Sequence, residues 1–184
     1  MSEALAKVDR RLAVLERAWI VGAAAMMLFI MLSASADVAM RYVFNSPIAP
    51  LYDLVSLYLM PGMFFLALSD TLRTNEHVGV DLLHTRMTPR QRHAALVVGY
   101  AFVSVILAVM TWAAFARMAE AWRNDEVLAG AYAWPTWIAS LSVTLGFALL
   151  WLRVVHRFVG HAWSVATGTS AIPLPPISGT QEAV

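Results

Sequence analysis

Four stretches of the chain carry no Asp, Glu, Lys or Arg: Ala18–Ala36, Leu54–Ser69, Ala94–Ala116 and Val127–Leu152. A helix needs about 20 mainly apolar residues to cross the hydrocarbon core of a bilayer. The first, third and fourth stretches reach or approach that length. The second does so as Leu51–Leu72, with Asp53 and Asp70 placed at the two interfaces. Backbone polar groups in lipid must bond within their own segment, so such runs are helices. Barrel strands would alternate apolar and polar positions, and these runs do not. The pattern predicts an all-α integral membrane protein, a four-helix transmembrane bundle over residues 18–158. Its spans fall at about 18–40, 51–72, 94–116 and 134–155. The first run follows Arg10, Arg11 and Arg17 and ends in Ala34-Ser35-Ala36, which resembles a signal-peptide cleavage site. It is long for a signal peptide's apolar region and reads as a retained span.

The segments around the spans have their own patterns. Residues 1–17 form an N-terminal cytoplasmic segment that reads as an amphipathic helix. Leu5, Val8, Leu12 and Leu15 make its apolar stripe. It either lies on the membrane surface or extends the first span into water. Asp37 and Arg41 close the first span one helical turn apart, a spacing that allows an ion pair. Asn45-Ser46-Pro47 is turn chemistry, and Pro50 suits the first turn of the next helix. Pro61-Gly62 near the middle of the second span predicts a kink. The loop from Thr71 to His93 is expected to hold a short interfacial helix. Within it, Thr88-Pro89-Arg90-Gln91 has the form of a capped helix start. Ser142 and Gly146 allow close helix contact, either within the bundle or with a partner. The tail, residues 159–184, is cytoplasmic, and from Gly168 it is rich in Ser, Thr, Pro and Gly and predicted to be disordered.

Charge turns this hydropathy pattern into an oriented topology. With the N-terminus inside, ten of the 13 basic residues lie on the cytoplasmic side; only Arg41, Arg117 and Arg123 lie outside. Both termini are then cytoplasmic. Trp112, Trp122, Trp134 and Trp137 cluster at the outer ends of the third and fourth spans as interfacial anchors. The overall composition, 60% hydrophobic and 14% charged with a net charge of +1, gives no footprint for nucleic acid.

The same inventory offers little chemistry. The absence of cysteine excludes disulfides, thiol catalysis and cysteine metal sites. None of the five histidines is at mid-span, which argues against haem ligation. His77, Asp81 and His84 could share a helix face, but three ligand types in one polar loop are a weak metal signal. No phosphate-binding loop or nucleophile elbow appears. No ionisable residue lies deep in a span, where a self-contained proton-coupled transporter would need one. The chain therefore reads as a non-enzymatic structural or accessory membrane subunit without a cofactor of its own. A membrane anchor of a redox complex and a self-contained small transporter are the alternatives.

Three segments resemble one family. Asp37-Val38-Ala39-Met40-Arg41-Tyr42-Val43-Phe44-Asn45-Ser46-Pro47 resembles the end of the first span in the small membrane subunits of TRAP (tripartite ATP-independent periplasmic) transporters, the DctQ-like proteins. His77-Val78-Gly79-Val80-Asp81-Leu82-Leu83 and Thr88-Pro89-Arg90 are similar to that family's inner loop. Pro135-Thr136-Trp137 and Leu145-Gly146-Phe147-Ala148-Leu149-Leu150 are similar to its last span. The family often has a Trp and paired acids where this chain has Pro50-Leu51-Tyr52-Asp53, so the polar contacts of that corner differ here. The resemblance implies a bacterial inner-membrane subunit that pairs with a large multi-span subunit and works with a periplasmic substrate-binding protein. Sodium ions and the substrate, commonly an organic acid, would be handled by those partners. Asp37, Arg41 and Asp53 are the candidate polar cluster for subunit contact or local structure.

Overall fold

The computed structural model describes residues 2–74, 87–129, 132–168, 172 and 174. The predicted interfacial helix around 78–83, the His77/Asp81/His84 trio and most of the tail lie outside these residues. Among the described residues, four helices are long and apolar enough to cross a membrane.

Helix α1 runs unbroken from Ser2 to Phe44, 43 residues. The segment 2–17 thus continues the helix of the first span without a break, rather than forming a separate element. Its apolar stripe is also displaced from the predicted one. Val8 and Leu15 are exposed, whereas Leu5, Leu12, Glu16 and Ala23 face inward. Asn45 ends α1 in the left-handed region (φ 51°), which Asn tolerates better than most residues. The Ser46 N–H reaches back to the Met40 carbonyl at 3.3 Å.

The second span starts as α2 (Leu51–Leu54), widens into one π-helical turn (Val55–Leu59), and continues as α3 (Met60–Arg73). The π turn lies just before Pro61-Gly62, where the sequence predicts a kink. Pro61 supplies no N–H, and a normal turn would press its ring on the carbonyl four residues back. The π turn, closed by Met60 N–H to Val55 C=O, relieves that contact.

Helix α4 covers Pro89–Arg123 and opens with a complete capping box: Thr88 accepts from Gln91 N–H, and the Gln91 side chain accepts from Thr88 N–H. A two-residue ladder, β1 (Val127–Leu128) on β2 (Trp134–Pro135), closes the loop before α5 (Thr136–Thr167). Helix α5 runs past the predicted boundary at 158 until Gly168, whose φ of 69° forms a left-handed cap. Ile172 in the tail is buried and covers Gly160.

Helix α5 is the centre of the bundle. It packs along α4 and α3, and α1 packs against α3 and, near its start, against α5. Gly146 allows the α3–α5 approach: a Cβ there would lie 2.5 Å from the Phe65 carbonyl oxygen. Of the small pair noted in the sequence, Gly146 therefore faces another helix of the bundle. Half of the buried set among the described residues is polar: Glu16, Ser69, His93, Thr144, Arg153, His156, Arg157, His161 and Ser164. In lipid there is no hydrophobic drive between helices, so close packing and polar contacts take over that role.

Candidate functional site

The bundle has a proximal end, where α1 begins and α5 finishes, and a distal end. The proximal end holds the densest polar constellation. Glu16, on the inward face of α1, is fully buried, as is Arg153 on α5. Arg153 donates from Nε to Glu16 Oε1 at 2.8 Å and from Nη2 to Glu16 Oε2, a two-pronged contact. Its third nitrogen, Nη1, reaches Asp9 Oδ1 at 2.5 Å. Ser69 on α3 donates to Glu16 Oε1 at 2.5 Å. Arg73, one turn further, lies 3.6 Å from Glu16 and pairs with Asp70 at 2.7 Å. Three helices are thereby tied through one carboxylate.

A second layer lies beyond it. Arg157 donates to the carbonyls of Leu72 and Arg73 at 3.4 and 3.2 Å, where a cation complements the carbonyl end of α3. His156 Nε2 donates to the Leu5 carbonyl at 3.2 Å. His93 on α4 meets His161 on α5 with their Nδ1 atoms 2.9 Å apart, and the Tyr100 ring stacks on His161. One imidazole must donate and the other accept, so at least one ring of the pair is neutral.

At the distal end, Arg41 pairs with Asp37 at 2.9 Å, as the spacing allowed. The other Asp37 oxygen accepts from the Ile48 N–H at 2.7 Å and pins the connection to the second span. Asp53 does not join them. Its carboxylate makes no ion pair among the described residues, and Arg41 pairs with Asp37 on its own helix. The predicted three-residue cluster is a pair. A groove of about 330 Å³ beside it is bordered by Asp37, Arg41, Ile48 and Tyr52.

The four predicted tryptophans share this end. Trp122 and Trp137 meet edge to face with ring centres 4.6 Å apart, and Trp134 packs on Tyr58. Tyr58 in turn donates to the Pro135 carbonyl at 2.8 Å. Trp112 is strongly exposed. Arg117 holds Glu126 across the loop with a two-pronged contact at 3.0 and 2.5 Å. This keeps the Glu126 carboxyl below the usual carboxylate range.

Sequence reasoning missed the proximal network. In the sequence Glu16 lies within the polar stretch before the first span, and Arg153 and Arg157 are two of the ten basic residues on the cytoplasmic side. The available signal was the true inward stripe of α1, on which Glu16 follows Leu5 and Leu12.

The family model of the tripartite ATP-independent periplasmic transporters, DctQ component, matches residues 30–162. The chain belongs to the DctQ family. The match covers the distal Asp37–Arg41 corner, the last part of the first span, and most of α5. Glu16 and Asp9 precede it, so the carboxylate side of the proximal network falls outside the matched region, while Arg153 and Arg157 fall within it. No curated protein and no solved structure matches the chain. DctQ proteins are transporter components and not enzymes. Membership implies a membrane subunit associated with a large membrane partner and a substrate-binding protein.

Proposed function

We propose that this chain is the static small subunit of a sodium-coupled TRAP transporter that imports an organic acid across the bacterial inner membrane. Both termini face the cytoplasm, which makes the proximal end cytoplasmic and the distal end periplasmic. The subunit braces the large transport subunit, and sodium and substrate are bound by the partners. The observation that carries this reading is where the ionisable groups sit. The buried ones cluster at the proximal end, around the Glu16–Arg153 pair and the His93–His161 pair, and the span centres have none among the described residues. A transport route would need such groups facing one another deep in the bilayer. What the bundle offers is a tied frame with wide apolar flanks. On α4, for example, Val98, Phe102, Val105 and Val109 form one exposed stripe.

The test is uptake in liposomes under a sodium gradient, using a labelled organic acid. The large subunit, the binding protein and this chain together should transport. This chain alone should not. Uptake by this chain alone, or full uptake in its absence, would remove the bracing role. For the distal corner, Arg41→Ala should lower complex yield or slow uptake; normal values of both would show that the Asp37–Arg41 pair serves only its own helix.

A further inference from the structure

Between the start of α1 and the end of α3 lies a cleft of about 490 Å³, lined by Ala6, Asp9, Arg10, Ala13, Val14, Arg17 and Arg73. Its charges are unbalanced. Asp9 is engaged by Arg153, and Arg73 by Asp70 and Glu16. Arg10 and Arg17 are exposed and have no carboxylate partner among the described residues. The small side chains of Ala6 and Ala13 leave the space between the arginines open.

The position of the cleft decides what kind of anion suits it. From Arg17 to Asp37 the helix rises about 30 Å, the thickness of a hydrocarbon core. Arg17 is then at the membrane boundary, and Arg10, two turns away, reaches the headgroup layer. Arg10, Val14, Arg17 and Val21 share one face of α1, since their spacings are four, three and four. Val14 is 65% exposed and Val21 67%, and Leu28 continues the face seven residues on. The face is cationic at the headgroup level and apolar below it.

We propose that this cleft binds the phosphate of an anionic phospholipid, whose acyl chain lies along Val21 and Leu28. A soluble phosphate would use the arginines but not the apolar stripe. A zwitterionic lipid would bring an amine against uncompensated arginines. The inference rests on the membrane assignment and is independent of the transporter reading.

The test uses the full-length protein, purified with any co-purifying subunits and stripped of lipid. Phosphatidylglycerol should raise its melting temperature by about 5 °C, an effect typical of a saturating ligand on a domain of this size. Phosphatidylcholine and inorganic phosphate should each give less than half of that. Arg10→Gln/Arg17→Gln should abolish the difference between the two lipids. Lys7→Gln/Arg11→Gln, which removes the same charge outside the cleft, should preserve it. An equal shift from inorganic phosphate would mean a site for soluble anions. Equal loss in the two double variants would mean a diffuse charge effect. Either result overturns the proposal. A photo-crosslinking side chain at Val14 should capture phospholipid in native membranes; capture of a protein subunit there would overturn it as well.

Discussion

Glu16 and Arg153 are 137 residues apart in sequence, yet their carboxylate and guanidinium are fully buried against each other and join the first helix to the last. Removing one partner of a buried pair leaves an uncompensated charge, which costs about 3–5 kcal/mol. Arg153→Ala and Glu16→Ala should each destabilise the folded subunit by an amount of that order. Replacing both by apolar residues of similar size, Glu16→Leu/Arg153→Met, should recover much of the loss. Denaturation of the purified variants in detergent checks this. A double variant no more stable than the singles would show that Ser69, Arg73 and Asp9 depend on the pair.

Gly146 is placed where any side chain meets the Phe65 backbone. Gly146→Ala should destabilise by about 1–3 kcal/mol through forced separation of α3 and α5. Gly99→Ala is the control. A Cβ at Gly99 meets nothing within 4 Å, so that change should be neutral or stabilising through helix propensity. Melting temperatures of the two variants should move in opposite directions or differ clearly in size.

Arg117 and Glu126 fasten the loop between α4 and α5, and the Arg117 contact holds the Glu126 carboxyl below its usual range. A group whose folded value is depressed contributes stability above its unfolded value and loses it as pH falls through the folded value. The contact should therefore persist to lower pH than a glutamate without the Arg117 partner would allow. Carboxyl-carbon NMR of Glu126 should show a low midpoint that moves up in Arg117→Gln. A midpoint unaffected by that substitution would contradict the contact.

Asp37 does more than Arg41 at the distal corner, because it also holds the Ile48 N–H. Arg41 is mostly exposed, and exposed ion pairs contribute about 0–1 kcal/mol. Asp37→Ala should cost more than Arg41→Ala, by roughly 1 kcal/mol for the lost backbone hydrogen bond. Thermal melts compare the two directly. Equal losses would mean that the ion pair is the whole of the interaction.

The four spans, the Thr88 capping box, the turn at Asn45 and the Asp37–Arg41 pair were all legible in the chain. Each depends on neighbours within a few residues or on the length of an apolar run. The bilayer makes that local information unusually complete, since an apolar run of sufficient length has one backbone conformation open to it. The tertiary structure decided what local pattern could not. It chose the face of α1 that turns inward and so moved Glu16 into the interior. It made Gly146 an internal seam on Phe65 and kept Asp53 out of the distal pair. These outcomes depend on which helices become neighbours. A lone charge near a span end reads the same whether it meets water, lipid or a guanidinium 137 residues away.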